Sequence, residues 1–227
     1  MTVRSGAVMV KTEGGNPLRK FIWAFVACLG LTASVFAASA SAAAAGGCQL
    51  QGTANLSPGL NSSSQPFSYN FGGDLSGCQS SEAGSPASGT VGAGQTVVEQ
   101  VTNSITGATD SVTYQEPVPT GNGGCGSSTT SGSALVTWAD GTHTVFNYST
   151  TGALAAVVLT GSVAPSMTLT ATNAQAGDPT TFTIATNRYS GDSTAGLLAF
   201  QPPDPTACTT SAGATIAAIS GAVALAG

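Results

Sequence analysis

Beyond residue 45 the chain has almost no positive charge. Arg188 is its one lysine or arginine there, against six aspartates and three glutamates, a net charge of −8. Nucleic-acid binding depends on Lys and Arg neutralising phosphates, so this balance excludes it, and it disfavours anionic membrane surfaces for the same reason. Histidine is nearly absent too, with His143 alone in all 227 residues, which leaves too few ligands for a zinc site of His/Cys type. Only 7% of residues are charged and 6% aromatic. Glycine, serine, threonine and alanine fill the remainder, so solubility must come from hydroxyls and a few carboxylates. No cofactor or metal is expected.

Long apolar runs are confined to the beginning. Arg19 and Lys20 precede Phe21 to Phe36, and a stretch of alanines and serines follows to Ala45. Basic flank, apolar segment and small-residue zone stand in the order of an export signal. Residues 1–45 are therefore expected to be a signal peptide, cleaved within 40–45, with Met9 an alternative start. A membrane anchor is the rival reading, but the run is marginal for a span and lacks a basic stop-transfer flank. Neither Cys28 nor Cys48 has a convincing lipid-attachment context, and no twin arginine is present. The C-terminal Ala214 to Gly227 is apolar but too short to cross a bilayer, and reads as a closing strand.

Removal of Cys28 with the signal leaves Cys48, Cys78, Cys125 and Cys208. An even number in an exported chain implies two disulfides, with three connectivities open. The pairing Cys48 with Cys78 and Cys125 with Cys208 is favoured, because the first closes a local loop and the second links distant strands. No CxxC spacing supports a metal site.

The region from 46 to 227 reads as one secreted β domain, with a subdomain boundary allowed near 120. Thr, Val and aromatic content suits pleated sheet, and glycine density argues against long helices. Candidate strands include Cys48 to Leu56, Phe67 to Phe71, Thr96 to Val101, Ala134 to Ala139, Thr144 to Tyr148 and Thr180 to Thr186. About eleven short strands with frequent turn signals predict an antiparallel β-sandwich or barrel. The breaker-rich stretches Gly72 to Gly94 and Glu116 to Ser133 read as loops.

Asp140 and His143 are close enough in sequence to suggest a catalytic pair. Asp-Gly at 140–141 is, however, a preferred two-residue hairpin turn. That register places Trp138 opposite His143 and Leu135 opposite Phe146, so packing on an indole explains the histidine. No G-x-S-x-G elbow supplies a nucleophile, and no catalytic residue is assigned. Most aspartates stand beside Gly or Pro, where turn capping accounts for them. Calcium is the sharper alternative, but no D-x-[DN]-x-[DN]-G pattern occurs. Paired carboxylates could also hydrolyse glycosides, although the sequence does not say which acids converge.

Aromatic rings are the remaining candidate site. Trp138, Tyr148 and Tyr114 are the expected binding residues, with Tyr69 and Tyr189 beside them, if their faces are exposed for stacking on sugars; core packing is the alternative. Asn55, Asn61 and Asn147 stand in N-x-[ST] sequons, which matter only in a glycosylating host.

The runs GTANLSPGL (52–60), VTWADGTHTVF (136–146) and LTGSV (159–163) resemble a group of small exported β-proteins of high-GC Gram-positive bacteria. That resemblance covers most of the chain after the signal and implies export and a β fold, without an activity. The expectation is a secreted, extracellular or cell-surface binding or structural module without catalysis, its ligand class glycan or cell-wall material. The alternatives are a polysaccharide hydrolase working through paired carboxylates and a passive envelope protein.

Overall fold

The computed structural model describes residues 45–226; the expected signal peptide, its cleavage zone up to Ala44 and the alternative start at Met9 lie outside them. Thirteen strands follow one another: β1 (Ala45–Leu60), β2 (Gln65–Ser80), β3 (Gly89–Ala93), β4 (Thr96–Thr102), β5 (Thr109–Gln115), β6 (Thr120–Gly124), β7 (Ser127–Trp138), β8 (His143–Ala153), β9 (Ala156–Ala164), β10 (Ser166–Ala171), β11 (Thr181–Ala185), β12 (Ser193–Gln201) and β13 (Ala214–Ala226). The only helical turn among the described residues is a 3₁₀ turn at Ala207–Thr209.

Strand pairing runs β1-β13-β12-β9-β8-β7-β3-β2, and β2 pairs back to β1, closing an eight-stranded antiparallel barrel. β6 occupies the same slot as β3 between β2 and β7, but towards the other end: β2 pairs with β6 over Gln65–Ser68 and with β3 over Phe71–Leu75. Strands from both sides of residue 120 therefore close one barrel. A second sheet, β11-β10-β5-β4, lies against the outside of the barrel. Val112, Tyr114, Met167 and Leu169 of that sheet meet Leu135, Val145 and Ala164 of the wall. The expected sandwich or barrel is thus a closed barrel with a side sheet.

Alternation along β7 shows how the sequence sorts itself. Ala134, Val136 and Trp138 face the lumen, while Leu135 faces the side sheet, as the two-residue period of a strand requires. Each large apolar side chain buried this way stabilises the fold by about 1.5–3 kcal/mol. The count of about eleven short strands falls low, because the two stretches read as loops contain β3, β6, the end of β2 and the start of β7. Glycine is used there as strand. A Cβ on Gly52 or Gly73, which are register partners on β1 and β2, would stand 2.6 or 2.9 Å from the Phe71 ring. On Gly121 it would stand 2.5 Å from the ring of Phe67. These residues are bare so that lumenal rings can lie flat on the backbone.

The hairpin at Asp140 also differs from the sequence expectation. Thr137 pairs with His143, Val136 with Thr144 and Leu135 with Val145, one residue away from the register of a two-residue turn. The turn runs from Trp138 to Gly141, whose N–H donates to the Trp138 carbonyl at 2.9 Å, and Gly141 alone there has positive φ, at 81°. A one-residue slip exchanges faces. Trp138 consequently shares the lumen with Thr144 and Phe146, and His143 stands on the outer wall.

Both disulfides have the favoured pairing. Cys48–Cys78 ties β1 to β2, and Cys125–Cys208 ties the β6–β7 turn to the 3₁₀ turn before β13. The bridges close separate loops of sequence separation 30 and 83. Replacing Cys125 and Cys208 by serine should therefore destabilise the fold by about 1 kcal/mol more than replacing Cys48 and Cys78, on loop-closure entropy. Urea unfolding of the two double variants measures this difference; equal losses would show that the closed loop length does not set it.

Candidate functional site

The lumen is not filled. A cavity of about 160 Å³ runs between the inward side chains, among them Leu50, Phe71, Val136, Leu159 and Leu198. No Asp, Glu, Lys, Arg or His lines it. An eight-stranded barrel is at the size where side chains either close the interior or leave room for one small ligand.

Trp138 and Tyr148 both line this space. They are only 4% and 8% exposed, so the expectation of ring faces offered at the surface is overturned for them. Tyr114 is fully buried elsewhere, under the side sheet, where its hydroxyl donates to the Pro179 carbonyl at 2.9 Å and its ring packs on Phe182. It does not join the other two. Tyr69 and Tyr189 do line the lumen. Of five candidate rings, four therefore converge on one interior, for the reason that governs core positions generally: large rings bury the most area.

The polar edges of these rings are matched inside the barrel. The Tyr69 hydroxyl shares hydrogen bonds with the Tyr148 hydroxyl at 2.6 Å and with Thr130 Oγ1 at 3.0 Å, and Thr130 Oγ1 in turn meets Thr150 Oγ1 at 2.8 Å. Four hydroxyls thus form a chain through an otherwise apolar lumen. At the end of the barrel near Trp138, the indole Nε1 donates to Thr144 Oγ1 at 2.9 Å, and that hydroxyl donates to the Arg188 carbonyl at 3.0 Å. Tyr189 meets the indole edge-on, with ring centroids 5.4 Å apart. Thr130, Thr144 and Thr150 were not singled out in the sequence; their only signal is a threonine at an inward position of a strand whose neighbours on that face are apolar.

Asp140 and His143 do not form a catalytic pair here. Asp140 accepts from the N–H and hydroxyl of Thr142, at 3.0 and 2.6 Å, and pairs with Arg188 Nη2 at 2.8 Å. The Thr142 hydrogen bonds, helped by the Arg188 charge, hold its carboxyl below the usual range. Backbone N–H donation and backbone capping likewise occupy Asp178 and Asp204. Among the described residues, no three His, Cys, Asp or Glu side chains gather as a metal set, and no helix is long and apolar enough to cross a membrane.

The fold and this interior define a closed eight-stranded antiparallel barrel with an apolar, hydroxyl-threaded lumen. No family model, curated protein or solved structure matches the chain.

Burial raises the phenol pKa of Tyr148, with the Tyr69 hydroxyl adding to it, and burial likewise raises Tyr69 and Tyr114. A folded value above the unfolded value means that the associated stability is intact below about pH 10, where free tyrosine begins to ionise, and is lost as pH rises further. Absorbance titration at the phenolate band should show these three tyrosines ionising above the free value and together with alkaline unfolding. Smooth ionisation of all tyrosines near the free value, with the fold intact, would contradict their placement.

Proposed function

We propose that the protein is an extracellular, non-catalytic binding module that takes a small neutral molecule, apolar but for a hydroxyl or carbonyl, into the barrel lumen. The observation that carries this reading is the uncharged cavity of about 160 Å³ threaded by the Tyr69, Tyr148, Thr130 and Thr150 hydroxyls. A dry engineered cavity of about 150 Å³ takes up benzene, so the volume suits a ligand of one ring or a short alkyl chain. An ionised ligand is disfavoured, because burying a charge without a partner is costly. The hydroxyl chain supplies the polar partner that fixes orientation. The export-type N-terminal segment and the two disulfides support an oxidising, extracellular setting.

Trp138 is the only tryptophan among the described residues and reports on the lumen directly. In titrations of the oxidised secreted protein with phenol and with 1-hexanol, Trp138 emission is expected to shift and Tm to rise, since a ligand at about ten times its Kd adds about 1.4 kcal/mol. Leu198→Phe, which fills the cavity, should abolish both responses at a cost of about 1–3 kcal/mol for overpacking. Unchanged emission and Tm at about 10 mM of either compound, where even millimolar affinity registers, would reject the lumenal site.

A further inference from the structure

The side sheet covers the barrel wall where Leu135 of β7, Val145 of β8 and Ala164 at the end of β9 are buried. On another part of the wall β9, β12, β13 and β1 lie side by side, and no Asp, Glu, Lys, Arg or His occurs in any of these four strands. All nine carboxylates beyond residue 45 stand on other segments; in sequence Asp192 and Asp204 come closest, on either side of β12. A domain of net charge −8 thus has one broad neutral wall.

The middle of that wall is apolar and open. Leu197 of β12 is 65% exposed, and Val158 of β9, its register partner, is 51% exposed. Ala222 of β13 pairs with Leu197 on the other side, and Ala195 and Ala199 are its same-face neighbours along β12. Leu197 therefore stands as a knob among alanine methyls, which leave shallow hollows round it. The barrel's own core does not need it, because the alternate residues Leu198, Leu159 and Val223 point inward. Antiparallel strands with one wet face ordinarily carry polar residues there, as β8 does at Asn147, Ser149 and Thr151. An exposed apolar patch with a polar surround marks an interaction surface.

We propose that this wall is the interface of a homodimer, formed face to face about a two-fold axis beside Leu197. A knob bordered by hollows on one surface is self-complementary, which an isologous contact requires; each Leu197 seats on the alanines of the other copy. Two copies of the same negative charge repel wherever carboxylates face one another, and the neutral wall is the approach that keeps them apart. β9 and β12 are nine residues long; at about 4.8 Å between strands and about 3.3 Å per residue, four such strands measure about 19 by 30 Å. Two copies would bury about 1,100 Å² in all, enough for a specific but reversible pair. A lipid surface fits less well, since the outward positions hold neither the rings nor the basic residues by which proteins lie on membranes. The dimer leaves the lumen unaltered and is independent of its ligand.

The test is sedimentation velocity of the oxidised secreted protein from about 1 µM to 1 mM, which should show a monomer–dimer equilibrium with a Kd of about 10–100 µM. Leu197→Glu sets two carboxylates against each other across the axis and should weaken the dimer at least about thirtyfold, with Tm unchanged. Leu197→Ala removes the knob without adding charge and should weaken it about fivefold; it decides the matter should Leu197→Glu lower Tm. Val98→Glu adds the same charge at a 60% exposed position of β4 and should dimerise within about twofold of the parent. A monomer at every concentration, or equal losses in Leu197→Glu and Val98→Glu, would overturn the proposal. Flotation with phosphatidylcholine vesicles supplies the rival outcome: a monomer that binds vesicles through Leu197 would assign the wall to lipid and overturn the dimer.

Discussion

Closure of β1 onto both β13 and β2 is the constraint on which the remaining structure depends. β1 pairs with the last strand from Ala45 to Leu60 on one side and with β2 over nearly the same length on the other. A sheet closed in this way has no exposed edge, so its backbone groups are satisfied whatever its side chains are. That allows strands as poor in β-forming residues as GTANLSPGL or SSTTSGS to hold their place. The alanine-rich C-terminal segment has little propensity of its own, yet it is fixed between β1 and β12. Ladder hydrogen bonds on two sides and an inward row of Ala217, Ile219, Val223 and Leu225 hold it there.

The same dependence explains how much could be read from the sequence. Strands with an apolar row, such as Thr181–Ala185 or Ala134 to Trp138, declare themselves by alternation. So did the all-β class and the disulfide pairing. The glycine-rich strands did not, because a glycine paired under Phe71 or Phe67 has the same local signature as a glycine in a loop; what distinguishes it is a ring from another strand. The hairpin register at Asp140 was hidden for a related reason. Asp-Gly fits both a two-residue turn and the longer turn found, and only the demand that Trp138 enter the lumen decides between them.

The interior aromatics were recognisable as residues and misplaced as surfaces. A chain with 6% aromatic residues cannot spare rings for the outside while filling an eight-stranded lumen. Trp138, Tyr148, Tyr69 and Tyr189 are the large groups that span it. Tyrosine brings a hydroxyl with it, and once four hydroxyls must be satisfied away from water they satisfy one another. The result is a polar thread inside an apolar space, and no pattern in the sequence marks it, because its members come from β2, β7 and β8.

The two ends of the barrel are consequently unlike. At the end where β7 stops, the segment around Arg188 and Tyr189 crosses the opening and is held from several sides: the Arg188 carbonyl by Thr144, the guanidinium by Asp140 and Glu82, and the Tyr189 ring by Trp138. Tyr189 adopts a φ of 61° there, a conformation that costs a non-glycine residue about 1–3 kcal/mol and persists only where its surroundings hold it. The sole cation among the described residues is spent on this closure; its side chain is 14% exposed. At the opposite end Leu56, Leu60, Phe67 and Ala217 form a buried apolar cluster with Phe200 and Cys125 packed against it, and the Phe67 ring lies 6.2 Å from that of Tyr69, so this end is closed by apolar packing and the other by an ion pair and a ring contact.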